Sequence, residues 1–306
     1  MHKYAAYGLS LESEFELSEL IETQGTPTCD PDPVTVIIGD VPHDLPNAIT
    51  TVEGYRVTAE QALFVMEGTA RYLICGGKTI TVAPEAGHEP AWLRIVLLSG
   101  ALGILLHQRG LFPLHASAVV DNGVCIAFGG NSGAGKSTLA AGLSHRGFRL
   151  LAEDKLVLRK TVGDWVAWPG VPFLHLFEES ASRGGLGAQT QGSPSPRAGK
   201  FIHFDADRFE RQSKPLKALY MVDWLVDGDR PTITPITAMQ AFLELRTHSS
   251  LNGLIPAMGR EAAFMPWAID LLKDIPIYRF SRPQDYDKFG EGLDFLQAHW
   301  MSLSSD

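Results

Sequence analysis

The stretch GGNSGAGKST, residues 129–138, constrains the fold of this chain more than any other. Gly130-x-x-x-x-Gly135-Lys136-Ser137 satisfies the Walker A pattern in full. The apolar run VCIAF leads into it, and an amphipathic segment from position 136 to about 145 leads out, ended by Gly147. Strand, glycine loop and helix in that order turn backbone N–H groups inward onto phosphate oxygens. The helix N-terminus adds its partial positive charge. The candidate nucleotide-binding set is Gly130, Asn131, Ser132, Gly133, Ala134, Gly135, Lys136, Ser137 and Thr138. Within it Lys136 is placed to reach the β- and γ-phosphates and Ser137 to hold Mg²⁺, so ATP and Mg²⁺ are the expected cofactors.

Composition narrows the class. With 45% hydrophobic and 20% charged residues, the 306 residues read as an ordinary globular chain. A net charge of -9 argues against a broad nucleic-acid-binding or anionic-membrane surface, so neither partner is expected. Cys29, Cys75 and Cys125 are far apart and lack metal-site spacing, which fits free buried thiols in a reducing compartment. The first residues carry acids where a signal peptide needs an apolar core. The most apolar run, 95–106, is too short to span a bilayer and reads as a helix packed between two parts of the protein. A cytoplasmic location is expected.

Residues 1–90 read as short strands and turns, with 34–38 a β-branched strand and 71–82 a hairpin closed by Gly76-Gly77. A helix is expected over 89–108. A second hairpin follows, ASAVV and VCIAF joined by Asp121-Asn122-Gly123. Beyond the glycine loop, strands are expected at 149–151, 155–159, 165–168, 216–225, 231–236 and 277–280. Helices are expected at 237–246, 261–273 and 284–299. The segment 180–200 is too rich in Gly, Ser and Pro to pack and reads as a mobile loop.

A glycine loop alone does not name a reaction. Phosphoryl transfer also needs a second Mg²⁺ anchor and a group that orients or deprotonates the nucleophile. His115, at the start of the strand before the loop, and the pair Glu153-Asp154, after the strand RLLA, stand where such groups are needed. Residues 114–158, LHASAVVDNGVCIAFGGNSGAGKSTLAAGLSHRGFRLLAEDKLVL, resemble the catalytic core of HPr serine kinase/phosphorylases. The histidine lies 21 residues before Lys136 and Asp154 lies 18 after it, offsets that agree with the family without gaps. Weaker likeness in RGLFPLHAS, WPGVPFLHLF, GKFIHF, PLKALYMVDWL and IPIYRF is to the HPr-kinase-related proteins of peptide-modification pathways, including lasso-peptide precursor kinases. The first 90 residues do not look like the N-terminal domain of HPr kinases.

The resemblance implies an α/β fold with a mixed twisted sheet, of the type shared with phosphoenolpyruvate carboxykinase. It divides the chain into a small mainly β N-terminal domain, 1–107, and a kinase domain, 108–306. It also implies roles. His115 would contact the transferred phosphate. Lys136 and Ser137 would act as loop residues, and Glu153 with Asp154 would supply a base and a Mg²⁺ contact in either order. Glu153 departs from the family's Asp-Asp pair. RGGLG (183–187) looks similar to the family's arginine-glycine signature but lies in the polar segment.

The expected activity is transfer of the ATP γ-phosphate to a serine of a peptide or protein, with a lasso-type precursor peptide as the implied acceptor. A small-molecule kinase and a non-catalytic nucleotide-binding regulator stand as alternatives, and homo-oligomerisation is left open. Other residues have two readings each. Lys200 steers phosphate or is a surface lysine. Arg183 and Arg197 close over ATP or belong to an ordinary loop. Glu178-Glu179 bind metal or end a helix. His203 and His248 read as structural, and Trp165, Trp168, Trp224 and Trp267 as core fillers.

Overall fold

A computed structural model describes residues 1–22, 30–52, 55–177, 193–194, 199–204 and 206–303. The fold is mixed α/β. The first eight strands are β1 (His2–Ala6), β2 (Leu9–Ser13), β3 (Val34–Ile38), β4 (Ile49–Val52), β5 (Tyr55–Val57), β6 (Gln61–Met66), β7 (Ala70–Cys75) and β8 (Thr79–Pro84). They form a sheet in the order β1-β2-β3-β8-β7-β6-β5-β4. Parallel pairing of β3 to both β2 and β8 makes it a mixed sheet. Gly76 and Gly77 take φ of 57° and 65° between β7 and β8, the tight turn expected of the sequence.

Helix α1, Pro90–Gln108, follows. Glu89 caps it and Pro90 occupies its first turn. Over Leu97–Ala101 the helix widens into a π-turn. Its 19 residues are long enough to cross a bilayer by length alone, longer than the apolar run suggested, but 72% of its apolar window is buried inside the protein. Leu97, Leu98, Ala101, Leu102, Ile104 and Leu105 belong to one core with the first sheet. That core extends to Val157, Val171, Phe173 and Leu254 of the following half.

The second sheet contains β9 (Ser117–Asp121), β10 (Val124–Gly129), β11 (Arg149–Ala152), β12 (Val157–Lys160) and β13 (Trp165–Trp168). A small three-stranded sheet holds β14 (Phe173–Phe177), β15 (Ser193–Pro194) and β16 (Lys200–Phe204). The second sheet is completed by β17 (Lys214–Trp224), β18 (Thr232–Pro235) and β19 (Ile277–Arg282). Its path is β11-β9-β10-β17-β13-β12, with β19 on the other side of β17 and β18 beyond it. Alternate residues of β10 face opposite ways. Cys125 and Ala127 join a core with α3 (Ala238–Thr247), α4 (Leu254–Ala257) and α5 (Glu261–Asp274). Ile126 and Phe128 join another with α2 (Lys136–His145) and α6 (Phe289–Ser302).

One expected element starts later, and one strand was not anticipated. The last helix begins at Phe289, five residues later than its apolar pattern indicated, and Gln284–Tyr286 before it line a cavity. The segment 173–177 pairs with 200–204 as a strand that its sequence did not announce. Of the polar segment 180–200, only 193–194 and 199–200 are described, in or beside that small sheet. Glu178, Glu179, Arg183, Arg197, the 183–187 stretch and Cys29 lie outside the described residues.

His107, at the end of α1, is fully buried. Its Nε2–H donates to the Ser250 carbonyl at 2.7 Å, and its Nδ1 has no partner among the described residues. Burial pushes its pKa down to about 4, and the nearby charges of Lys155, Arg246 and Arg260 push the same way. The folded protein therefore refuses a proton that the unfolded chain accepts near pH 6.5. Stability should fall as pH drops from about 6.5 to about 4, by about 3 kcal/mol from this group. In denaturant titrations across that window, the gap between wild type and His107→Asn should close as pH falls. A constant gap would show that His107 does not titrate this way.

Candidate functional site

Strand direction gathers the site. β17 runs parallel to β10, and β19 parallel to β17. β11 is antiparallel to β9, which is antiparallel to β10, so β11 also runs with β10. The C-terminal ends of β11, β10, β17 and β19 therefore share one sheet edge. Glu153-Asp154 leave that edge on one side of the glycine loop. Trp224 and Arg282 leave it on the other. His115 enters β9 from the same edge.

The loop is built as its glycines require. Gly130 has φ of 129°, and a Cβ there would run into the Val222 carbonyl oxygen. Gly135 has φ of 91°, and a Cβ there would strike the Arg282 guanidinium. Lys136 opens α2 and donates to the carbonyls of Gly130 at 2.8 Å and Asn131 at 2.9 Å. The Ser137 hydroxyl donates to Glu153 Oε1 at 2.7 Å.

The two carboxylates sit in a tight turn. Lys155 N–H donates to the Glu153 carbonyl at 2.7 Å, with Asp154 between them at φ of 65°. This is a γ-turn in the left-handed region, a strained backbone that aspartate tolerates better than most residues. It lets consecutive side chains line one cavity. Glu153 and Asp154 are 2% and 6% exposed. They have separate partners. Glu153 Oε2 accepts from His175 Nδ1 at 3.1 Å, beside its bond from Ser137. Asp154 Oδ1 faces His115 Nδ1 at 3.2 Å, and Oδ2 accepts from Lys155 Nζ at 2.6 Å.

His115 is held by the backbone on both sides. Leu114 exchanges hydrogen bonds with Leu156, and His115 N–H donates to the His248 carbonyl at 2.7 Å. His248 itself pairs with Glu244 at 3.0 Å. His203 is buried in β16. Lys200 lies in the same strand.

Several residues at this edge escaped sequence reading. His175 stands in the centre of the apolar strand FLHLF, 1% exposed, with Nε2 lacking a hydrogen-bond partner among the described residues. A histidine inside an apolar run was the available signal. Arg282 ends β19 and is 4% exposed. Its guanidinium lies 4.2 Å from the Trp224 ring centroid and 5.3 Å from that of Phe289. No carboxylate pairs with it among the described residues, and its Nε is unpartnered. Burial pushes its pKa down to about 10, which still leaves it charged at neutral pH. Trp224 is thus a cavity wall rather than the core filler expected; Trp165 and Trp168 are buried. Tyr7, at the tip of the β1–β2 hairpin, donates its N–H to the Pro169 carbonyl at 2.6 Å and packs on Gly170. Burial raises its phenol pKa, and the charges of Asp154 and Glu153 raise it further.

His115, Lys136, Ser137, Glu153, Asp154 and His175 line one cavity together with Trp224, Arg282 and Tyr286. No protein-family model and no curated protein matches the sequence. Among solved structures, the chain is similar to the HPr(Ser) kinase/phosphatase from Coxiella burnetii. The match has 12% identity and a TM-score of 0.32, over 62% of this chain and 96% of that one.

Among the described residues no three His, Cys, Asp or Glu side chains converge as an all-protein metal cage. Mg²⁺ is commonly held by one or two carboxylates together with substrate phosphate oxygens and water. The hydroxyl of Ser137 bonded to the Glu153 carboxylate, at the N-terminus of α2, is a donor set that fits it.

Proposed function

We propose that this protein is an HPr-kinase-like, ATP-dependent serine kinase. The observation that carries the reading is the division of labour within the carboxylate pair. Glu153 is bonded to the Ser137 hydroxyl of the glycine loop, while Asp154 faces His115 and is balanced by Lys155. A Walker A loop with only a nucleotide to hold needs the first contact and not the second.

In this reading Ser137 and Glu153 hold Mg²⁺, which when bound would neutralise charge on the β- and γ-phosphates. Lys136 and Arg282 bring two further positive charges to the same cavity. Asp154 accepts the proton of the acceptor hydroxyl as its oxygen bonds to the γ-phosphorus and the bond to ADP breaks. His115 holds Asp154 in position from one side and reaches toward the transferred phosphoryl group. His175 holds Glu153 on the far side from Ser137.

The acceptor is a peptide or protein serine, and the sequence likeness of residues 109–117 supports a ribosomal precursor peptide, of lasso type, as that acceptor. Residues 108–306 would be the catalytic part and 1–107 the part that helps to bind the substrate, in the cytoplasm. The test is intact mass after incubation of a serine-containing precursor peptide with the protein and Mg-ATP. Gain of one phosphoryl group is the expected result. ATP bound tightly without any transfer would favour a regulatory protein. Transfer to free serine alone would favour a small-molecule kinase.

A further inference from the structure

A second cavity opens behind the carboxylates. Its volume is about 830 Å³, and it shares His115, Ser132, Asp154, His175 and Phe177 with the first. Glu153 lines only the first cavity, and Lys155 only the second. The two therefore meet at Asp154, the residue assigned above as the base.

Its outer wall comes from three distant parts of the chain. The first sheet contributes Tyr55, Phe64 and Met66, whose two aromatic rings stack at 4.7 Å. The π-turn of α1 contributes Ser99 and Gly100, and a Cβ at Gly100 would collide with the Phe64 ring. π-turns of this kind recur at binding sites. The segment 247–254 contributes the third side. Among the described lining residues, Asp154 and Lys155 are the only Asp, Glu, Lys or Arg, and they pair with each other at 2.6 Å. Besides that pair and the three histidines His115, His175 and His248, the described wall is uncharged, on a chain whose net charge is -9.

We propose that this cavity holds the peptide segment on either side of the acceptor serine, and that it selects uncharged, apolar neighbours. The proposal rests on the kinase reading for its direction, with the hydroxyl delivered to Asp154. The volume favours a chain segment over a single amino acid, since cavities of roughly 300–1,000 Å³ enclose whole drug-sized ligands. Apolar neighbours would bury against Tyr55, Phe64 and Met66. A charged neighbour would lose its water and find no free counter-ion among the described lining residues, which disfavours it.

The experiment is affinity selection, without nucleotide, of short peptides with a central serine and randomised neighbours on the immobilised full-length protein. Wild type should enrich Phe, Leu and Met beside the serine and deplete Asp, Glu and Lys, roughly tenfold or more. Met66→Glu and Ser99→Glu each place an acid in the wall at a half-buried position. Both should shift the selection toward Lys and Arg neighbours. Two variants at separate sites guard against one that fails to fold, checked by unfolding temperature. Enrichment of charged neighbours by wild type, a selection unchanged in both folded variants, or no enrichment at all would each overturn the proposal. Since selection needs no ATP, it separates the two ideas. Peptides sorted as expected but never phosphorylated would leave the cavity standing and remove the kinase reading. Phosphorylation without sorting would do the reverse.

Discussion

If the protein is the kinase proposed above, Asp154→Asn should cut phosphoryl transfer by roughly 10²- to 10⁴-fold while ATP remains bound. A side chain that accepts the nucleophile's proton is worth roughly 10²–10⁴-fold in rate, and an amide cannot accept it. Nucleotide affinity should hold, because Lys136, Ser137 and Glu153 keep their contacts with the loop and with each other. The substitution has one side effect to control. Asp154 is the ion partner of Lys155, which is 2% exposed, and half of a buried pair left alone is destabilising. Asp154→Asn combined with Lys155→Met removes both charges and should recover unfolding temperature without recovering turnover. Single-turnover transfer and equilibrium nucleotide binding, measured on both variants, give the answer. Undiminished transfer in either would place the base elsewhere.

Arg282→Met should weaken nucleotide binding by roughly 10- to 100-fold, the worth of one or two charge-assisted hydrogen bonds to phosphate. It should do so without destabilising the fold. Arg282 is a buried cation with no carboxylate partner among the described residues, held between Trp224 and Phe289. Such a charge costs stability on its own, and a methionine of similar volume removes that cost. Loss of affinity with an equal or higher unfolding temperature is the combination that marks a group kept for its ligand. Arg282→Lys should recover only part of the affinity, since an ammonium neither stacks between two rings nor spans two oxygens. A variant that unfolds earlier and binds ATP normally would make Arg282 a structural residue.

Much of the fold was legible because its elements obey local rules. The hairpins at 70–84 and 117–129 announce themselves through Gly76-Gly77 and Asn122-Gly123, which take the positive φ that tight turns need. α2 begins at Lys136 and is followed by Gly147 at φ of 99°, as the capping pattern indicates. What was not legible depends on sheet order. Arg282 is 146 residues beyond Lys136 in the chain and becomes its neighbour only because β19 pairs with β17 and β17 with β10. His175 reaches Glu153 from β14, in a small sheet whose pairing of 173–177 with 200–204 no turn signal announces. The π-turn in α1 has no residue signature at all, since LLSGA would serve equally well in a regular helix. The assignment of separate tasks to Glu153 and Asp154 required the γ-turn that aims them, and adjacent acids in a sequence do not state their backbone angles.

The hairpin that carries Tyr7 bears on how such a protein can change over evolutionary time. Its tip rests on Pro169 and Gly170 behind the carboxylate turn, and α1 lays its apolar face across Val157, Val171 and Leu254. The half that carries the glycine loop thus borrows part of its interior from the first sheet. It is not a portable cassette. Recombination that exchanged residues 1–107 for an unrelated recognition module would strip the carboxylates of their backing. If the second cavity holds the substrate as proposed, new specificity would have to come from point changes along the shared wall, at Met66, Ser99 or Asn252, while the scaffold on both sides is inherited together.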